Sequence, residues 1–539
     1  MFKRFKSYLG GDFMKLAKKS LAIIAGMACV ASMAVTGCGG NQSAQTDASS
    51  TPAESSATTE ESTAPAESEA TETAASGVDL SEKVTITWYQ AGATEPEDLA
   101  KVEAAANQYI AENTDLNCEL KMYFFDFGTF PEKMNTMINS GEEFDICFTC
   151  NWCNDYTTQA GKGAYVDITE MLDQYAPKTK ALLGDGFVLG SQIGGRNYAI
   201  PANKEKAHQW GLVIRKDIAD KYQMDFSNVK TLADMEPFFQ TIKENEPGMY
   251  ALEACEGESA KRLLDYDYIG SDSMPGAVYN DDASVVFNQV EKPEMKELFQ
   301  LMNKFYKAGY IRQDAPSITD YQVDQKAGKI FAAVRSLKPG KASEEAQTFG
   351  HDYMQIELTA PVISNRETTG SMEAISSTSK NPERALMLLE LFNTDPAFNN
   401  LINFGIEGEH YTKVEGTDNI ISQGPNYSKY SVNSGWALGN QLINYVWDSE
   451  PLGAEKWDKF EEFNNSATNT QTLGFIYQSG EVQSQIAQCT NVWKQYMPSL
   501  ETGAVDPETV LPEFIESLKA AGVDDIIADK QAQLDAWRG

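Results

Sequence analysis

Hydrophobic and polar positions along this chain fall into a repeating order from residue 84 onward. Val84–Trp88 is a β-rich run. Residues 98–110 then place Leu99, Val102, Ala105, Ala106, Tyr109 and Ile110 on one helical face. Residues 119–126 alternate in their first half, a helix is predicted through Pro131–Ile138, and Phe144–Thr149 reads as a buried strand. Strand–helix–strand–helix–strand in this order predicts a largely parallel sheet with helices on both faces. Ligands of such sheets sit beyond the carboxyl ends of the strands, which here carry Tyr89, Gln90, Asn151 and Trp152.

A second region begins near Gly194–Pro201, a short hairpin-like stretch, followed by a strand at Trp210–Ile214. Pro293–Ala308 is a helix with Met295, Leu298, Leu301, Met302 and Phe305 inward, and Lys329–Val334 is a strand ending at Arg335. Asn381–Pro382 opens a helix whose buried stripe is Ala385, Leu386, Leu389 and Phe392. The last part is helical. Asp506 caps a helix that has Pro507 in its first turn and Val510, Phe514 and Leu518 on one face, and Gly522 ends it. A final helix carries Ile526, Ile527, Leu534 and Trp537; Trp493 and Trp537 are read as packing residues.

The amino terminus has a different pattern. From Met14, a candidate start, Lys15, Lys18 and Lys19 precede an uncharged apolar run from Leu21 to Val35. That run has the length of a signal-peptide core and is short for a membrane-spanning helix. It ends in Val35-Thr36-Gly37-Cys38, similar to the lipobox of bacterial lipoproteins, in which the cysteine thiol takes a diacylglycerol. Residues 38–77 follow as a stretch of Ser, Thr, Ala and acidic residues without Lys, Arg or an aromatic side chain. Such a stretch cannot bury enough apolar surface to offset its ordering entropy and reads as a disordered tether. Signal peptide (1–37), lipidated Cys38, tether and folded body together describe a protein held at the outer face of the cytoplasmic membrane.

Composition narrows the function classes. With 539 residues, more than one domain is the prior, and a formal net charge of −34 argues against a nucleic-acid partner. Three His residues, at 208, 351 and 410, make a His-rich metal centre implausible; His410 reads as a neutral, hydrogen-bonded structural residue. Cys147, Cys150 and Cys153 have a spacing that suggests a metal cluster. The alternating strand pattern around them and an exported location favour packed small side chains instead, with a local disulfide left open. Asp265-Tyr-Asp267-Tyr-Ile-Gly270 starts like a calcium loop but lacks the glutamate at its twelfth position, Gly276, so an EF-hand is rejected and no metal or cofactor is expected.

Several short segments in order carry a resemblance: SGEEFDI at 140–146, KGAYVD at 162–167, RKD at 215–217, IKENEPG at 242–248, FNTD at 392–395, GIEGEHY at 405–411, LETG at 500–503 and KQAQL at 530–534. Together they resemble family-1 extracellular solute-binding lipoproteins of bacterial ABC importers, in the subgroup with an extra C-terminal domain of unassigned function. The resemblance implies an α/β, two-lobed periplasmic-binding-protein-like fold with a hinge and cleft, plus a helical C-terminal extension. On that analogy, lobe 1 comprises 84–200 plus about 345–395, lobe 2 comprises 201–340 plus about 396–500, and about 470–539 is a helical region packed on the body. The chain would cross between lobes near 198–213, 335–353 and 392–404. It also implies a monomer that hands a carbohydrate, mostly an oligosaccharide in this family, to the transmembrane subunits of an ABC permease.

A sugar cleft asks for aromatic faces against apolar C–H faces, and for Asp, Asn, Glu and Arg to bond the hydroxyls. Trp436, in Asn433–Asn440, and Trp152 are the leading stacking candidates; Tyr89, Asn151, Arg335, Glu373, Glu407 and Asn440 follow. Two other classes stay open. A peptide carrier would need cations such as Arg335 and Arg366 for a terminal carboxylate. A surface glycosidase would need paired carboxylates, a signal without power in a chain holding 78 acidic residues. No HExxH, GxSxG or Walker-type loop is present, so an enzyme is not expected.

Overall fold

The computed structural model describes residues 77–539 except Ala93, 256–258, 319–321 and Asn433. The signal peptide, Cys38 and nearly all of the tether lie outside the described residues, as does Asn433 at the start of the Trp436 segment.

The first sheet has the strand order Cys118–Phe125, Val84–Ala91, Ile146–Thr149, Met372–Ile375, Ala199–Pro201. Val84–Ala91 pairs in parallel with both neighbours, and Met372–Ile375 runs antiparallel to both of its own. Adjacent residues on one strand serve opposite faces, as the pleat requires. Trp88 packs with the helix Leu99–Asn113 through Leu99, Val102, Ala106 and Ile110. Its neighbour Tyr89 packs on the other side with Phe130, Met134 and Met137 of the helix Phe130–Ser140, spaced at one-turn intervals. The parallel, helix-covered sheet expected from the pattern is present in its first three strands.

The second sheet has the order Tyr353–Glu357, Gln209–Arg215, Ile330–Leu337, Tyr250–Leu252. Gln209–Arg215 is antiparallel to both neighbours. Gly211 is required there, because a Cβ would lie 2.1 Å from the Ile356 carbonyl oxygen. The core behind this sheet joins Leu212 and Ile214 to Phe239, Ile242, Met302 and Phe305 on two helices. On the far side of the helix Pro293–Ala308 lie the C-terminal helices Gln483–Glu501, Pro507–Ala520 and Val523–Arg538. Asp506 caps the middle one, its carboxylate accepting from the Glu508 N–H, and Gly522 at φ 92° separates it from the last. Trp493 is buried, whereas Trp537 is 42% exposed and rests against Phe475.

Segment membership differs from the expected boundaries in two places. Tyr353–Glu357 belongs to the second sheet, so the return to the first lobe begins only after it. Residues beyond 396 stay with the first lobe: Phe398, Ile402, Tyr430, Val432 and Leu438 join the core of Trp88 and Phe392, because the stripe of Pro396–Phe404 fits that hydrophobic surface. The chain therefore crosses between sheets at 202–208, at 358–364 and at 467–475, and not at 392–404. The crossings lie side by side, His208 bridging Val362, and Val362–Ile363 pairing with Thr468–Asn469.

Candidate functional site

These crossings form the floor of a cleft of about 790 Å³ whose walls come from the two lobes. The first wall starts where the strand Ile146–Thr149 ends. Asn151 donates from its backbone N–H to the Thr369 carbonyl at 2.9 Å, and from Nδ2 to the Arg366 carbonyl at 2.8 Å and the Thr369 hydroxyl at 3.0 Å. Trp152 donates from Nε1 to the Gly370 carbonyl at 2.8 Å, yet its side chain remains 53% exposed in the cleft. Large apolar rings are seldom left this accessible while also being fixed in orientation. Behind it stand Phe127, Phe148 and Trp436, with ring centroids 5.3, 6.1 and 6.1 Å away.

The second wall is built from Trp210, the segment 262–272 and residues 475–477. The guanidinium groups of Arg262 and Arg366 lie 5.3 and 5.8 Å from the Trp210 ring. Arg262 also pairs with Asp272. Burial would raise the Asp272 carboxyl, but the charges of Arg262, Lys261 and Arg366 hold it below the usual carboxylate range. Asp267 differs. Burial pushes its carboxyl up, although the Thr472 and Thr470 hydroxyls work against the shift. At the floor, His208 lies 3.0 Å from Glu367; burial opposes ionisation, yet His208 and the Ser364 hydroxyl bring Glu367 down to about 2.

The sequence-predicted site residues divide clearly. Asn151 and Trp152 line the cleft. Trp436 is half-buried in the aromatic group behind Trp152, stacked on Phe127 at 5.9 Å. Tyr89 is stacked on Tyr123 at 4.6 Å inside the first lobe, where burial raises its phenol to about 12. The others have structural partners away from the cleft. Arg335 is buried in pairs with Glu253 at 2.8 Å and Glu345 at 3.6 Å. Glu373 accepts from Trp88 Nε1 at 2.9 Å, and burial raises its carboxyl well above the usual range. Glu407 is exposed and pairs with Lys413 at 3.3 Å, while buried Asn440 joins the carbonyl of Asn393 to the side chain of Asn203.

Sequence reasoning missed Trp210, Arg262, Asp267 and Tyr268. For Asp267 and Tyr268 the signal was the alternation of acids and aromatics in Asp265–Tyr268, read there as the start of a calcium loop; Trp210 reads from the sequence as part of a strand, and Arg262 carries no pattern of its own.

Cys147, Cys150 and Cys153 are buried free thiols, and burial pushes the Cys147 thiol up. Asp98, Glu409 and His410 bring potential metal-ligand atoms within 4.8 Å of one another, but these donors are engaged. Lys101 pairs with Glu409, and His410 Nδ1 accepts from the Ile406 N–H, which leaves its Nε2–H for Asp98 at 3.1 Å.

Comparison with known proteins places this geometry in context. Residues 471–539 match the family described as Domain of unknown function (DUF3502). The chain is 28% identical over 463 residues to a carbohydrate ABC transporter substrate-binding protein of Streptococcus pneumoniae serotype 4 (strain ATCC BAA-334 / TIGR4), covering 85% of this chain and 92% of that one. It superimposes on the N-glycan transport solute binding protein NgtS from Streptococcus pneumoniae with TM-score 0.75 and 27% identity, covering 84% of this chain and 98% of NgtS. The NgtS complex with Man5GlcNAc gives TM-score 0.64, at 27% identity over 84% of this chain and 98% of that one. An extracellular solute-binding protein from Bifidobacterium longum subsp. infantis, at 17% identity and TM-score 0.60 over 84% of this chain and 98% of that one, shares the fold. The chain has the two-lobed α/β architecture of these solute-binding proteins, with C-terminal helices.

Proposed function

We propose that this protein is the substrate-binding component of an ABC importer and that its cargo is an oligosaccharide. The carrying observation is the exposed, hydrogen-bonded Trp152 at the edge of a cleft of about 790 Å³, in a chain 27% identical to an N-glycan transport protein over 84% of its length. An indole face fixed in this way can take the C–H face of a pyranose, and Asn, Asp and Arg groups opposite can bond its hydroxyls. The volume exceeds what one monosaccharide requires. Trp152 and Asn151 serve as contacts, with Trp436 as the backing of the stacking platform.

The protein acts as a carrier without turnover and delivers its cargo to permease transmembrane subunits as a lipid-anchored monomer. Cys38 takes the lipid, so Cys38→Ser releases the protein from the membrane fraction; retention there would refute the anchor. Of the two cations expected for the peptide alternative, Arg366 is at the cleft while Arg335 is engaged with Glu253 and Glu345; the other cleft guanidinium, Arg262, is paired with Asp272.

Calorimetric titration with Man1GlcNAc, Man5GlcNAc and short peptides tests the reading. Saturable binding of the glycans without hydrolysis supports it. Binding of peptides alone, or release of free sugar, overturns it.

A further inference from the structure

The segment matched to a domain of unknown function includes the last helix, Val523–Arg538. One face of that helix bears Asp529, Lys530 and Gln533, and all three reach the backs of segments that line the cleft. Asp529 accepts from the Tyr477 hydroxyl at 2.6 Å, and Gln533 exchanges hydrogen bonds with the backbone of Gln478 at 2.8 and 3.1 Å. Tyr477 itself is a lining residue.

Lys530 has 0% exposure and no carboxylate among its hydrogen-bond partners. Its Nζ donates to the carbonyls of Ile269, Pro275 and Gly276 at 2.6, 2.7 and 3.1 Å. These oxygens stand at the two feet of the loop that joins the hairpin strands Tyr266–Tyr268 and Ala277–Tyr279. The first half of that loop, Ile269–Asp272, faces the cleft. Gly276 makes the contact possible, because at φ 106° a Cβ would lie 2.5 Å from the Lys530 side chain. Gln289 completes the neck, accepting from the Gly276 N–H and donating to the Met274 carbonyl, each at 3.0 Å. Burial draws the Lys530 ammonium down to about 7.

A lysine is an expensive way to fill a core position, since an apolar side chain of similar length would incur no charge desolvation. Here it ties three carbonyls that the tight loop leaves without strand partners. We infer that Lys530 is a positioning residue for the ligand cleft, and that the C-terminal domain shapes the second wall by closing the neck of the 269–276 loop. The inference rests on the reading of the cleft as the ligand site, but the loop's dependence on Lys530 can be measured with no ligand present.

The test compares the full chain with Lys530→Met, and with Leu518→Ala as a control that loses core packing in the same domain, its side chain having no hydrogen-bonding group to offer the loop. Hydrogen–deuterium exchange over 269–276 in the unliganded protein is the first readout. Lys530→Met should exchange at least ten times faster there, whereas Leu518→Ala lowers the melting temperature and leaves this peptide protected. Man5GlcNAc affinity is the second, expected to fall about tenfold in Lys530→Met and to hold in Leu518→Ala. Unchanged exchange at 269–276 in folded Lys530→Met overturns the inference. Failure of wild type to bind Man5GlcNAc counts against the proposed cargo and leaves the exchange result to decide the role of Lys530. Should Lys530→Met not fold, Lys530→Gln, a shorter polar side chain that cannot serve all three carbonyls, supplies the answer through exchange at 269–276, which must rise for the inference to stand.

Discussion

The two walls of the cleft are held by different physics. The Trp152 wall is fixed by neutral hydrogen bonds from a strand end to the neighbouring turn at 366–370, all within one lobe. The facing wall is fixed by charges that arrive from behind, from helices more than 200 residues later. Lys261 pairs with Glu501 at 2.6 Å in a buried site, and Lys530 holds the hairpin loop. A platform that must be flat and accessible is made by local geometry. A wall that must hold irregular loops is made by long-range anchors that tolerate no loss of a partner.

Breaking one such anchor gives the largest expected effect. Lys261→Met leaves Glu501 buried without its cation and should cost about 3–5 kcal/mol of stability, measured by urea denaturation. Adding Glu501→Leu should recover most of it. A single variant as stable as wild type would erase the distinction between the walls.

The floor shared by both walls supplies the second expectation. Lys204 and Lys338 hold Glu205 at about 2 against its burial, and His208 with Ser364 does the same for Glu367. Both folded values lie below the ordinary 4.5, so the stability they contribute is complete above about pH 4.5 and is lost as pH falls toward 2. Each group should account for about 3 kcal/mol over that window. Glu367→Gln should therefore show a flatter acid branch in a plot of denaturation midpoint against pH.

Trp152→Ala comes next. It should leave the melting temperature nearly unchanged and weaken Man5GlcNAc binding by about 1–3 kcal/mol in calorimetry. Trp436→Ala should show the reverse balance, costing stability through lost ring packing but under about 1 kcal/mol in binding. Equal binding losses in the two variants would place Trp436 in contact with the ligand.

The contrast between the walls also explains what could be read from the chain. The elements were legible because their stripes are local: Leu99, Val102, Ala106 and Ile110 lie on one helix, and Asn151–Trp152 directly follow a recognisable strand. Partnerships across long separations were not. Nothing in the type of Glu373 announces the Trp88 indole 285 positions away, nor in Arg335 the Glu253 carboxylate 82 away, so both read as available polar groups. The second wall was hidden for the same reason. Residues 262–272 hold one short strand, Tyr266–Tyr268, and their long-range ties run from the adjoining Lys261 to Glu501 and from Ile269 to Lys530. The third crossing was misplaced because the apolar stripe of Pro396–Phe404 suits either lobe by pattern alone, and only shape complementarity assigns it to the first.

The three neighbouring crossings have a mechanical consequence. A single linker lets two bodies swing, twist and slide. Segments joined laterally from His208 to Val362 and from Val362 to Thr468 resist twist and slide, since either would shear the bridges between them. What remains is rotation about one axis, so that on the proposed reading cargo capture would be expressed to a permease as the value of one angle.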